Sequence, residues 1–163
     1  AALGLLVARE GRTELTDEAV HQCRIAAQLD PDLYNARNEI GIILSNARRH
    51  EEGEREFAAA EEACRDFHHH WFTRGNNLLH LKRWAEARRC YERLLEIDPG
   101  HTEGKLRLCA VLQQLGEEGA ARRLAGKLEK EVGGSPLPFF ETWLDPWGRS
   151  PMLARPDGSP PEQ

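Results

Sequence analysis

The sequence predicts an all-α protein: a solenoid of helix-turn-helix repeats followed by a proline-rich C-terminal tail. Three observations carry this reading. Residues of matching role recur at steps of 34, as Gly41, Gly75 and Cys109, as Phe57, Tyr91 and Ala125, and as Ala60, Leu94 and Leu128. Within each period the apolar residues are spaced by three and four, which places them on one face of a helix. Charged residues and alanine are plentiful and β-branched residues scarce, as in helical proteins.

The stretch 71–99 shows the unit most clearly. Trp71, Gly75, Leu78 and Leu79 form one amphipathic helix, and the turn falls at Lys82-Arg83. Trp84, Ala87, Tyr91, Leu94 and Leu95 form a second, closed by Asp98-Pro99. Proline cannot continue a helix and disfavours helical geometry at the residue before it. Gly75 costs about 1 kcal/mol relative to alanine inside a helix, so packing must require it: it lets the second helix approach closely. A helix pair repeating every 34 residues, with W-x2-L-G-x2-Y, then A-x3-F, then P, is the tetratricopeptide pattern. The chain resembles that family over roughly residues 1–132. Trp71, Gly75, Leu78, Ala87, Tyr91 and Pro99 fill most of the pattern, and Arg74 stands where the family has leucine.

Four repeats are expected, at about 1–31, 34–67, 68–101 and 102–132. Residues 1–9 read as the end of a first helix, so sequence upstream of Ala1 is expected. The turn from Glu10 to Thr16 is longer than in the other repeats, and Thr16 is the expected N-cap of the next helix, with Asp17 and Glu18 in its first turn. Asp30-Pro31 closes that helix. The second repeat is read as helices from about Leu33 to Ala47 and from Glu51 to Arg65. No proline follows Cys64, so the latter is expected to run on towards Phe67. The fourth is read as Thr102 to Leu115 and Glu118 to Val132, with Gly116 as C-cap. It holds no large aromatic, and Gly104, Gly119 and Gly126 weaken its helices. The tail, 133–163, breaks the pattern at Gly133-Gly134. Its end has a disordered composition, but Phe139, Phe140, Trp143, Leu144 and Trp147 are too many large apolar groups to leave in water. They are expected to cap the last repeat, or to lie in a groove of this chain or of a second copy.

Composition narrows the function. The 163-residue chain carries a formal net charge of −5, which argues against a nucleic-acid surface. No apolar run approaches the roughly 20 residues of a membrane helix. Cys23, Cys64, Cys90 and Cys109 form no CxxC and no close pair. They read as small buried hydrophobes in reduced, cytoplasmic surroundings. His68, His69 and His70 are adjacent, so on a helix they point in different directions and cannot share one metal ion. His69 could instead pair with Glu103. No nucleophile elbow, phosphate loop or HExxH motif is present, so neither catalysis nor a cofactor is expected.

The resemblance implies a right-handed superhelix whose concave face is lined by the first helix of each pair, a surface that binds proteins. Carried onto this sequence, the groove positions are Asn35, Asn38, Glu39, Ile42, Ser45 and Asn46 in the second repeat. In the third they are His69, Phe72, Thr73, Asn76, Leu79 and His80, and in the fourth Glu103, Leu106, Arg107, Ala110, Gln113 and Gln114. Asparagine and glutamine offer both donor and acceptor to the backbone of an extended peptide, and Ile42, Phe72, Leu79 and Leu106 could form apolar pockets beside them. Family members that clamp a C-terminal carboxylate use two lysines, two asparagines and an arginine. Those places hold Asn38, Ile42, Thr73, Glu103 and Arg107 here, so Hsp70 or Hsp90 tails are not expected partners. The leading expectation is a module that binds an extended peptide or a partner helix. The alternative is a structural or accessory part of a larger complex or enzyme.

Overall fold

A computed structural model describes residues 13–29 and 35–133 of the chain. The described residues form seven helices and no strands: α1 (Thr13–Leu29), α2 (Ala36–Asn46), α3 (His50–Ala60), α4 (His68–His80), α5 (Trp84–Ile97), α6 (Thr102–Gln114) and α7 (Glu118–Val132). Helices α2 and α3, α4 and α5, and α6 and α7 pack as antiparallel pairs, each pair against the next. The helix expected before Glu10 and the apolar tail residues Phe139, Phe140, Trp143, Leu144 and Trp147 lie outside the described residues.

Each pair is closed by the same volume exchange. A Cβ built on Gly75 would lie 2.8 Å from the Tyr91 ring, and one on Gly41 would lie 2.8 Å from Phe57. Both aromatic rings are fully buried. One period on, the glycine becomes Cys109 and the aromatic becomes Ala125, and the two share a cluster with Leu128. Large against none is replaced by small against small, so the helices keep their approach without an aromatic residue. Gly104 is also a close-approach residue: its Cβ would lie 2.5 Å from Leu94 Cδ2, so this glycine seats α6 against α5.

The turns repeat as strictly as the cores. Arg48 (φ 63°), Lys82 (φ 57°) and Gly116 (φ 75°), one period apart, all adopt left-handed backbone. In each turn the next residue donates its N–H back into the helix: Arg49 to Leu44 O, Arg83 to Leu78 O and Glu117 to Leu112 O. This is the Schellman closure. Of these three turns, only the last places glycine where the conformation costs an L side chain about 1 kcal/mol.

Two helix limits differ from the sequence expectation. Helix α1 begins at Thr13, so Thr16 lies inside the helix, 1% exposed, and is not its N-cap. Helix α3 ends at Ala60 rather than running towards Phe67; a run of turns occupies 61–66. The reason is tertiary. The Glu61 carboxylate is drawn to Arg74 Nη1 at 2.5 Å, and the Trp71 indole N–H donates to Arg65 O at 2.8 Å. These bonds reward leaving the helix where two consecutive glutamates would meet its negative C-terminal end.

The largest core cluster runs through α4 to α7, with Trp71, Leu78, Tyr91, Leu94, Val111 and Leu112 among its members. Gly75→Leu should destabilise the protein by about 1–3 kcal/mol or more through overpacking against Tyr91. An unchanged urea-denaturation midpoint would show that the two helices do not meet at Gly75.

Candidate functional site

Helix α4 carries a buried polar stripe. His70, Arg74 and Asn77 fall four and three residues apart, on one face, and are 0%, 8% and 0% exposed. Each reaches back to the preceding helix pair. His70 Nδ1 lies 2.9 Å from Asn38 Oδ1 on α2. Arg74 donates from Nε and Nη2 to one Glu54 oxygen on α3, at 3.0 and 2.9 Å. Asn77 Nδ2 donates to the His50 carbonyl at 2.9 Å, which leaves its Oδ1 to accept from His50 Nδ1, also at 2.9 Å. Burial pushes the Glu54 carboxyl upward, and its bonds to Arg74 oppose that. Burial also works against the Arg74 charge, but the bonds to Glu54 and Glu61 outweigh it and hold the guanidinium ionised. Asn38 Nδ2, His70 Nε2 and Glu54 Oε2 are buried with no hydrogen-bond partner among the described residues.

This seam changes the expected groove. Asn38 was a groove position by phase, but it is fully buried in the seam. Leu79, 8% exposed, belongs to the core cluster that runs through α4 to α7. Phe72 is half-buried, its ring against Tyr91 and, at 4.9 Å, against His101. Leu106 packs against Cys109 and Leu128, so it too serves packing. Thr73 donates to the backbone carbonyls of His69 and His70, and Asn76 Oδ1 accepts from the Tyr91 hydroxyl at 2.8 Å. His69 makes no pair with Glu103; its ring lies against Phe67, and Glu103 faces Arg107 at 3.6 Å on its own helix. Asn46, His69, His80 and Gln114 are exposed, while Asn35, Glu39, Ile42, Ser45, Thr73, Asn76, Glu103, Arg107 and Gln113 are half-buried; Ala110 is buried.

The three adjacent histidines diverge as helix geometry requires: His68 and His69 are exposed and His70 is buried. Two histidines distant in sequence come together instead. His50 and His80 stack with ring centroids 4.2 Å apart and 10° between planes. Burial, then His50, Arg107 and Arg48, hold the His80 pKa down to about 4. His101 caps α6 by accepting from the Gly104 N–H at 3.0 Å. Sequence reasoning missed His50, His101 and Glu54. Only for His101 was there a local signal, its place just before Thr102 at a helix start.

The first helices of successive pairs, α2 and α4, touch directly, whereas the second helices, α3 and α5, make at most marginal contact. Where they part, a cleft of ≈ 400 Å³ opens over α4. Trp71, Leu78, Arg74 and Cys90 line it, with Glu61, Glu62, Glu86, Arg65, Arg89 and Arg93 around them. All four cysteines are free thiols. Burial pushes the Cys90 and Cys109 thiols up to about 12, so neither is a nucleophile at neutral pH. Among the described residues, no three His, Cys, Asp or Glu side chains are placed to hold a metal ion, and no helix is long and apolar enough to cross a membrane.

Comparison with known proteins agrees with the fold. Residues 71–101 match the family model described as tetratricopeptide repeat. The solved structure of MamA MSR-1 is 17% identical, with a TM-score of 0.61 over 80% of this chain and 75% of that chain. The solved structure of MamA AMB-1 is 16% identical, with a TM-score of 0.64 over 93% of this chain and 74% of that chain. At such identity the likeness shows the fold alone. No curated protein matches the sequence.

The buried seam makes stability depend on pH. Burial, then Arg74, hold the His70 pKa down from 6.5 to about 4, with Glu61 opposing. A histidine with a depressed folded-state pKa binds its proton less readily than in the unfolded chain. Its contribution is therefore intact above pH 6.5 and lost as pH falls towards 4. From pH 7.5 to pH 5 the loss from His70 should be roughly 2 kcal/mol. In urea denaturation the His70→Gln variant should show a flatter pH profile over that window. An unchanged profile would mean that His70 takes up its proton as easily folded as unfolded.

Proposed function

We propose that the array around residues 71–101, which match the tetratricopeptide repeat model, binds an extended segment of a partner protein along its first helices. One observation supports this most. Partly or wholly exposed polar side chains line up on three successive first helices: Asn46 on α2, Asn76 and His80 on α4, and Arg107 and Gln114 on α6. Of the three buried members of the expected set, Asn38, Leu79 and Ala110, Asn38 bonds α2 to α4 and Leu79 belongs to the core cluster. Amides supply donors and acceptors to a peptide backbone, and Arg107 suits a carboxylate or a carbonyl. Ile42 is the half-buried apolar residue beside them.

Peptides selected from a random display library against the protein would test this reading. The His80→Glu, Gln114→Glu double variant should bind them at least about tenfold more weakly by calorimetry, a loss of about 1.4 kcal/mol. Both residues are exposed overall, and His80 gives up mainly its stack on His50, so the melting temperature should fall only slightly. Full affinity in this variant would move the binding surface off the first helices.

A further inference from the structure

Each departure from the repeat pattern around the third repeat borders the cleft between α3 and α5. Arg74 stands in place of the family's leucine, α3 stops at Ala60, and the turns at 61–66 replace its last helical turn. The corresponding second helices α5 and α7 are 14 and 15 residues long, against 11 for α3. Glu61, Glu62 and Arg65 of the turns at 61–66 form one wall of the ≈ 400 Å³ cleft, a size typical of ligand pockets.

The cleft has an apolar floor and a basic rim. Its floor is Trp71, 8% exposed; Leu78 also borders it but is fully buried and presents no surface of its own. The acidic lining residues are turned to other work: Glu61 is bound to Arg74 at 2.5 Å, and Glu86 to Arg83 at 2.6 Å. Glu62 is 92% exposed and meets Arg65 only at 3.7 Å. The rim arginines are held loosely. Arg65 is 62% exposed, with carboxylates no nearer than 3.7 Å, and Arg89 is 75% exposed, 3.8 Å from Glu86. Exposed pairs of this kind contribute little, so either guanidinium can turn to a better-placed carboxylate and bind it with two hydrogen bonds.

We propose that this cleft is a second binding site, taking an acidic peptide segment of a partner protein with one apolar side chain against Trp71 and its carboxylates on Arg65 and Arg89. The charge of the chain directs such a segment here. The protein carries a net charge of −5, whereas the cleft lining holds four arginines against three glutamates, so acidic side chains meet a locally more favourable surface here. The site does not depend on the first-helix surface, because it lies on the side where the second helices part.

Trp71 supplies the readout, since its indole N–H is bonded to Arg65 O at the rim. The ¹⁵N-labelled protein would be titrated with acetyl-Asp-Glu-Leu-Asp-Glu-amide, following the indole signal assigned through Trp71→Phe. A saturable shift of that signal is expected, with the Trp84 indole unmoved. The Arg65→Glu, Arg89→Glu variant should bind about tenfold or more weakly, and the His80→Glu, Gln114→Glu variant as tightly as the parent. Because both rim arginines are exposed, the variant's denaturation midpoint should match the parent's; if it does not, Arg65→Gln, Arg89→Gln replaces it. An unmoved Trp71 signal would overturn the proposal. So would an equal shift with acetyl-Lys-Lys-Leu-Lys-Lys-amide, or a shift with an oligothymidylate but none with the acidic peptide.

Discussion

The buried pair Arg74–Glu54 sets the terms for the middle of this array. Two ionised side chains, 8% and 5% exposed, share one carboxylate oxygen through two N–H groups. Removing charges from water costs several kcal/mol each, so a buried pair persists only while both partners are present and well aligned. Arg74 sits between His70 and Asn77 on the same face of α4, and all three grip the preceding helix pair. That makes the boundary between the second and third repeats a polar one. A sliding or rotated α4 would leave several buried polar groups unpaired, each costing about 1–3 kcal/mol.

The same pair shapes the outer surface. Arg74 has a further donor for Glu61, and that bond draws the chain out of the helix after Ala60. The shortened α3 gives way to the turns at 61–66, and the cleft with its arginine rim lies beside them. One substitution against the family pattern thus links the repeat boundary, a helix limit and a candidate binding surface. Within each repeat the pressure is different. There the apolar interface is governed by volume, with Gly41 under Phe57, Gly75 under Tyr91, and Cys109 beside Ala125.

Much of this was legible in the sequence, because period and volume are local properties. The 34-residue step placed Gly75 at the contact of its two helices, and the expected limits of α7 match; Gly116, expected as the C-cap, lies one residue past the C-cap Leu115, in the left-handed turn. The seam was not legible. Arg74 was visible as a departure, but its partner Glu54 lies 20 residues earlier and reads as one more glutamate of a charged helix. Asn38 and Leu79 fall at groove positions by phase, yet Asn38 on α2 is buried against His70 of α4, and Leu79 on α4 is buried in the core. Phase says which side of a helix a residue occupies, not whether a neighbouring repeat covers that side. The stop at Ala60 was hidden for the same reason, since no proline or glycine marks it.

The central claim is that Arg74 and Glu54 are stabilising only together. A double-mutant cycle in urea, with Arg74→Leu, Glu54→Leu and the combined variant, tests it most directly. Arg74→Leu restores the family's residue, yet it should cost about 3 kcal/mol or more, because Glu54 is left buried and unpaired. Glu54→Leu should cost a similar amount. The combined variant should be much nearer the parent than the sum of the two losses, since an apolar pair of similar volume can replace a buried ion pair without penalty. Additive losses, or an Arg74→Leu protein as stable as the parent, would contradict the account.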